Sequence, residues 1–135
     1  MDIKFEPVIT EKTILIVDDS NIIRNLIENV YKDNYKILMA ETGRGAIDII
    51  DVMPEGSIVA VLLDLNMPDL NGFDVLEHIK QKDLFKTMPV SIITGEENEE
   101  VLRKARSYDI VDILIKPFSA NEIEKTVTKM IDLQK

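Results

Sequence analysis

Short apolar runs alternate with segments of helical spacing along most of this chain. Five runs rich in β-branched and other apolar residues predict strands at 13–17, 36–40, 58–63, 89–93 and 111–115. Between these runs, apolar residues recur every three or four positions, which is typical of helices with one buried face. The alternation therefore predicts five strand–helix units, each strand being followed by a helix.

The last predicted helix has the clearest start. Ser119 is followed three residues later by Glu122, the arrangement of a capping box in which each side chain binds the other's backbone N–H. Apolar residues then follow at helical spacing to residue 131. The same spacing, less strongly marked, predicts helices at 20–31 and around 46–53, 73–79 and 101–105.

Alternating strands and helices predict an α/β fold with a parallel sheet, since the crossovers are right-handed and cover both faces. The runs 13–17 and 58–63 are almost wholly apolar, as in strands buried on both faces. Lys36 and Asp112 make the second and fifth strands the better edges. We therefore predict a doubly wound five-stranded sheet of order 2-1-3-4-5, which is flavodoxin-like, with helices on both faces.

Composition limits the function classes. The 135 residues suit one domain, which we assign to 13–135 after an N-terminal extension at 1–12. A net charge of −9 argues against direct nucleic-acid binding by this segment and against an anionic membrane surface. The chain has no cysteine, no signal-peptide core and no apolar run of membrane-span length, so a cytoplasmic protein is expected.

Charged and polar residues stand where predicted strands end. Asp18 and Asp19 follow the first strand, Asp64 the third, Thr94 the fourth and Lys116 the fifth. In an open parallel sheet these ends line one crevice, so the side chains are expected to converge there. Three carboxylates facing one ammonium indicate a hard-cation site for phosphoryl chemistry.

Four motifs carry a resemblance to a known family. They are Val17-Asp18-Asp19-Ser20, the loop from Leu63 to Gly72, Ile93-Thr94-Gly95-Glu96 and Lys116-Pro117-Phe118. Each motif alone is common, but the four in this order and spacing are specific. The chain from about residue 13 onwards resembles the receiver domain of response regulators in two-component signalling, its chemotaxis members in particular.

The resemblance implies a phosphoacceptor switch that is not an enzyme in the ordinary sense. Asp64 would take a phosphoryl group from a histidine kinase or phosphotransfer protein, while Lys116 and Thr94 would contact the phosphoryl oxygens. The cofactor would be Mg²⁺, bound by the carboxylates of Asp19 and Asp64 and the Asn66 carbonyl, with Asp18 acting through water. The Lys116–Pro117 peptide bond is expected to be cis, as is usual in the family.

The resemblance also suggests how the signal is timed and transmitted. Asn66 and Glu96 match the residues that flank the phosphoryl group in fast-cycling chemotaxis regulators, which predicts a short-lived signal. Thr94 would move inward on phosphorylation and change partner contacts through the face of helix 4, strand 5 and helix 5. The family usually has an aromatic switch residue where this chain has Ile113, so no aromatic ring can flip there. The output partner is not identified by the sequence.

Two other functions fit parts of this pattern. A metal-dependent phosphatase that forms an aspartyl phosphate commonly has a second acid two residues after its nucleophile, whereas this chain has Asn66 there. A receiver-like module that is never phosphorylated usually lacks an acidic residue or the lysine, and none is missing here. His78, the only histidine, lies in a charged helix and is interpreted as an ordinary surface residue.

Overall fold

The computed structural model describes residues 12–67, 71–95 and 97–134. Most of the predicted extension at 1–12, and Glu96, therefore lie outside the described residues. The strands are β1 Thr13–Val17, β2 Lys36–Ala40, β3 Ile58–Asp64, β4 Val90–Thr94 and β5 Ile113–Ile115. The helices are α1 Asn21–Tyr31, α2 Gly43–Val52, α3 Gly72–Gln81, α4 Glu99–Arg106 and α5 Ala120–Asp132.

The predicted sheet is confirmed. All four strand pairings are parallel and the order is β2-β1-β3-β4-β5, with β2 and β5 at the edges. The last strand is shorter than the predicted 111–115, because only its final three residues are strand. The preceding backbone already runs beside β4, since the Val111 N–H donates to the Val90 carbonyl.

Alternating side chains on the central strands divide the core into two layers. Ile14 and Ile16 of β1 point to the face covered by α1 and α5. Leu15 and Val17 point to the opposite face, where they lie with buried residues of α2, α3 and α4. Both faces of β1 are therefore fully buried, which explains why its sequence is continuously apolar. None of the described helices combines the length and apolarity that crossing a membrane requires.

Each helix begins with a polar residue that caps its free backbone N–H groups. The capping residues are Ser20, Thr42, Asn71, Asn98 and Ser119. The predicted capping box of Ser119 and Glu122 is confirmed, and Asn71 forms a second one with Asp74. The helices therefore begin, with the positive ends of their dipoles, on the side of the sheet where the strands have their carboxyl ends.

Gly72 allows α3 to begin in close contact with the end of β3. Its N–H donates to the Leu65 carbonyl at 3.0 Å. A Cβ atom at this position would lie 2.6 Å from Leu65 Cα and 2.7 Å from the Asp64 carbonyl oxygen. Because both neighbours are backbone atoms, neither can move away without shifting the loop that follows Asp64.

We expect Gly72→Ala to lower the free energy of unfolding by about 1–3 kcal/mol, the usual range for overpacking. Gly95→Ala is the matched control, because its Cβ would meet nothing within 4 Å and should change stability by less than about 0.5 kcal/mol. Urea denaturation of both variants measures the difference. Equal stability of the two variants would show that the contact at Gly72 does not constrain the loop.

Candidate functional site

The predicted crevice forms where the strands end. Asp18 follows β1, whereas Asp64 and Thr94 are the last residues of β3 and β4. Lys116 follows β5, and its backbone N–H donates to the Thr94 carbonyl at 2.7 Å. The sheet topology thus places these four residues at one edge.

A single ammonium group joins the two buried carboxylates. Lys116 Nζ donates to Asp64 Oδ2 at 3.3 Å and to Asp18 Oδ2 at 3.4 Å. The side chains of Asp18 and Asp64 are 1% and 8% exposed, whereas that of Lys116 is 36% exposed. Two negative groups held away from water therefore share one positive group that is partly open to solvent.

This arrangement shifts the protonation equilibria of the site. Burial raises the pKa of Asp18 above its ordinary value, and the charge of Asp64 adds to the shift while Lys116 opposes it. Burial tends to lower the pKa of Lys116, but the charges of Asp64 and Asp18 outweigh it and raise that pKa. The lysine is therefore a permanent cation at neutral pH, and the negative charge on Asp18 is costly.

The loop after β3 orients Asp64. Its Oδ1 atom accepts a hydrogen bond from the Asn66 backbone N–H at 3.0 Å, while Oδ2 faces Lys116. The Asn66 side chain is exposed beside it. The Lys116–Pro117 peptide bond is cis, which confirms that prediction.

The other predicted site residues differ in their surroundings. Asp19 is exposed, unlike the neighbouring Asp18. Ile113 is half-buried and packs against the core layer on the α2, α3 and α4 side. Glu96 is outside the described residues, so its predicted place beside the site stays a prediction.

The oxygen atoms of this site suit a hard cation, although the described side chains alone would not complete its coordination shell. Within the described ranges, no group of three or more histidine, cysteine, aspartate or glutamate side chains could hold a metal ion. Mg²⁺, however, usually keeps several waters and needs one or two carboxylates. Asp18 Oδ1 is buried without a hydrogen-bond partner, so it is an acceptor suited to a water of a hydrated cation. The residues therefore fit a hydrated divalent cation.

His78 lies away from the crevice, on α3, and is less exposed than the sequence suggested. Its side chain is 21% exposed, and Nε2 lies 2.7 Å from Asp51 Oδ1 of α2. The histidine therefore links α2 to α3 and faces none of the carboxylates of the crevice.

Comparisons with known proteins agree on one family. The model of the family described as "Response regulator receiver domain" matches residues 14–128. The chain is 29% identical over 119 residues to the chemotaxis protein CheY-3 of Vibrio cholerae, covering 88% of this chain and 91% of that protein. It is also 26% identical over 121 residues to the sensor histidine kinase TmoS of Ectopseudomonas mendocina. That match covers 90% of this chain but only 12% of TmoS.

Solved structures show the same fold. A signal receiver domain assigned to a Luxo repressor protein of Vibrio parahaemolyticus is 30% identical, with a TM-score of 0.77. The match covers 90% of this chain and 91% of that one. The Mn²⁺-bound form of the response regulator Rcp1 is 27% identical, with a TM-score of 0.71, and 88% and 91% of the two chains are covered.

We expect Lys116→Met to destabilise the protein, because it leaves two buried carboxylates without their shared cation. The free energy of unfolding at pH 7.5 should fall by about 1–3 kcal/mol, less than for a fully buried pair because Lys116 is 36% exposed. The loss should shrink as the pH falls toward 4. The raised pKa of Asp18 means that the folded protein binds this proton more tightly than the unfolded chain, so protonation removes the cost of the unpaired charge.

Lys129→Met is the matched control for this experiment. Lys129 also pairs with an aspartate, Asp112, at 3.3 Å, but both side chains are more than a third exposed. Such surface pairs contribute about 0–1 kcal/mol. Urea denaturation across pH measures both variants, and a loss at Lys116 that is no larger than that at Lys129, or that does not depend on pH, would contradict the prediction.

Proposed function

The chain belongs to the response regulator receiver domain family, and from that membership we propose that it accepts a phosphoryl group on Asp64 and acts as a signalling switch. The domain in this proposal is 13–135, preceded by an extension at 1–12. The observation that carries the proposal is the Lys116 ammonium shared by two buried carboxylates where the strands end.

The proposed reaction is a transfer from a phosphohistidine. A carboxylate oxygen of Asp64 forms a bond to phosphorus, the phosphorus–nitrogen bond of the donor breaks, and the imidazole leaves with the electron pair and takes up a proton. Lys116 already donates to Asp64 Oδ2, so its ammonium would lie close to the oxygens of a phosphoryl group attached to Asp64 and could donate to one of them. The Thr94 hydroxyl would donate to another phosphoryl oxygen.

The proposed metal is Mg²⁺, which when bound would neutralise charge on the phosphoryl oxygens. Asp19, Asp64 and the Asn66 carbonyl would hold it, with Asp18 accepting from a bound water. The unpartnered Asp18 Oδ1 supports this role. The Mn²⁺-bound state of the related regulator Rcp1 supports a divalent cation in general.

The proposal extends to signal timing and output. Asn66 and Glu96 would govern how fast water reaches the phosphorus, giving a short-lived signal. Movement of Thr94 would shift the loop before α4 and alter the surface of α4, β5 and α5, where Ile113 offers a stiff β-branched side chain rather than a ring. This surface would contact an output protein that the sequence does not name.

The proposed upstream partner is a histidine kinase or a phosphotransfer protein. Family membership supports this, as does similarity to a segment of the sensor histidine kinase TmoS. The net charge of −9 supports the proposal that this segment does not bind nucleic acid or anionic membranes directly. A cytoplasmic location is part of the same proposal.

We expect acetyl phosphate with Mg²⁺ to add one phosphoryl group, because the site itself positions the donor. Intact-mass measurement should show the adduct on the wild type and none on Asp64→Asn or after chelation of the metal. Asp51→Asn is the matched control, since it changes an exposed aspartate on α2 and should keep the full yield. An unchanged yield in Asp64→Asn would remove Asp64 from its role.

Intact-mass measurement after removal of acetyl phosphate tests the lifetime of the phosphorylated state. A half-life of minutes or less is expected, and it should change several-fold when Asn66 and Glu96 are replaced by Ala and Gln. A half-life of hours, or one insensitive to both replacements, would contradict the proposed timing role while leaving Asp64 as acceptor.

We expect beryllofluoride, a phosphoryl mimic, to change amide hydrogen exchange mainly in 94–118. The reason is that the loop after Thr94, which would be displaced, leads directly into α4, whose N-cap is Asn98. Asp64→Asn, which should not bind the mimic, is the control. Changes confined to α1 and α2 would show that another face carries the signal.

A further inference from the structure

An aromatic cluster lies at the C-terminal end of α4, outside the crevice. Tyr108 follows this helix and its ring is half-buried. The ring lies 6.4 Å from that of Phe73, in the first turn of α3, and 6.4 Å from that of Phe85, which follows α3. Three aromatic side chains from separate parts of the chain thus meet at one surface, within the 4.5–7 Å that aromatic pairs favour.

Polar contacts fix the orientation of Tyr108. Its hydroxyl donates to Glu77 Oε2 of α3 at 2.8 Å. Burial, followed by this bond and the charge of Glu77, raises the pKa of Tyr108 to about 12. Lys80 Nζ lies 5.8 Å from the centre of the Tyr108 ring. The tyrosine is therefore held in the neutral, donating form by α3.

A second contact joins the same two helices. Lys104, in the last turn of α4, places its ammonium 4.3 Å from the centre of the Phe73 ring. Phe73 directly follows Gly72, which packs on the backbone of Asp64 and Leu65. The C-terminal end of α4 is thus attached to the part of α3 that is in contact with the Asp64 loop.

The rest of α4 is lightly held. Only Leu102 and Ala105 of its eight residues are buried. The helix begins at Glu99, five residues after Thr94 and at the far end of the helix from Tyr108. The two ends of α4 are therefore connected to different structures: the N-terminal end to the Thr94 loop and the C-terminal end to α3.

We propose that Tyr108 is a positioning residue that anchors the C-terminal end of α4 to α3 through Glu77, so that α4 pivots about this end when its N-terminal end moves. The anchor rests on the contacts described above, which are those of the unphosphorylated protein. The pivot rests also on the proposed function, because phosphorylation would supply the movement of the N-terminal end of α4. Ile113 stands where the family usually has an aromatic residue, so no ring can move at that position. In this chain Tyr108 instead limits how far a displacement spreads along α4.

Tyr108→Phe tests the anchor, because it removes the hydroxyl and keeps the ring. Amides of 103–110 in the free protein should exchange about tenfold faster, the effect of losing one hydrogen bond to a charged group. Tyr31→Phe is the matched control: the Tyr31 hydroxyl joins α1 to α5, donating to the Glu124 carbonyl and lying 2.7 Å from Thr128 Oγ1. It should leave exchange in 103–110 unchanged. Unchanged exchange in Tyr108→Phe, or faster exchange spread over all helices, would overturn the anchor.

Glu77→Gln separates the hydrogen bond from ring packing. Glutamine can still accept from the hydroxyl but has no charge, so most protection of 103–110 should remain. The alkaline titration of Tyr108 should move to lower pH; it is followed by ultraviolet absorbance, as the part of the three-tyrosine signal that Tyr108→Phe lacks. A titration that does not move would show that Tyr108 and Glu77 do not interact in solution, and would overturn the anchor.

Beryllofluoride tests the pivot. In the wild type, exchange should change in 97–102 and stay within twofold in 103–108, whereas in Tyr108→Phe the change should extend through 108. Equal changes in both halves of α4 in the wild type would overturn the pivot. A wild type with no response anywhere would contradict the proposed function, and the pivot with it, while the exchange of the free protein still decides the anchor.

Discussion

The sharing of one lysine ammonium by two buried aspartates is the interaction on which the crevice depends. Lys116 follows the edge strand β5, and β4 lies between that strand and β3, which ends in Asp64. Two strand spacings amount to roughly 9–10 Å. The extended Lys116 side chain, the Asp64 carboxylate and the 3.3 Å hydrogen bond between them together cover this distance. Carboxylates outnumber the ammonium, so the site keeps an excess of negative charge. That excess favours a further cation and makes the crevice a poor contributor to stability.

The hydrophobic core determines which side chains reach this crevice. Val17 pairs with Leu63, so the next residues along each strand, Asp18 and Asp64, lie side by side. A slip of one residue would turn every apolar side chain of β1 to the opposite face and separate the two aspartates. Because both faces of β1 and β3 are buried, such a slip would disrupt the side-chain packing of both core layers. Packing far from the site therefore sets its geometry.

The features that the sequence predicts well are those encoded locally. The apolar runs predicted the five strands, and the charged residues in two of them predicted that β2 and β5 lie at the edges of the sheet. The positions of Asp18, Asp64 and Lys116 at the ends of strands predicted that these side chains converge. Contacts between distant segments carry no such pattern. Glu77 and Tyr108 are 31 residues apart, and nothing in their spacing indicates that α3 and the end of α4 meet. The pairing of His78 with Asp51 was missed for the same reason, since it depends on how α2 packs on α3.

The attachment of α4 illustrates how a stable fold can contain a movable part. The central strands are buried on both faces, whereas α4 has two buried residues, Leu102 and Ala105, the partly buried Val101 and contacts at its C-terminal end. A helix so lightly buried can exchange between two positions that differ by only a few kcal/mol, which is the range that a ligand or modification can shift. The hydrogen bond from Tyr108 to Glu77 is partly buried and contributes about 1 kcal/mol or somewhat more. This is enough to bias the point about which α4 pivots without preventing its movement. The central sheet can then stay fixed while α4 changes position.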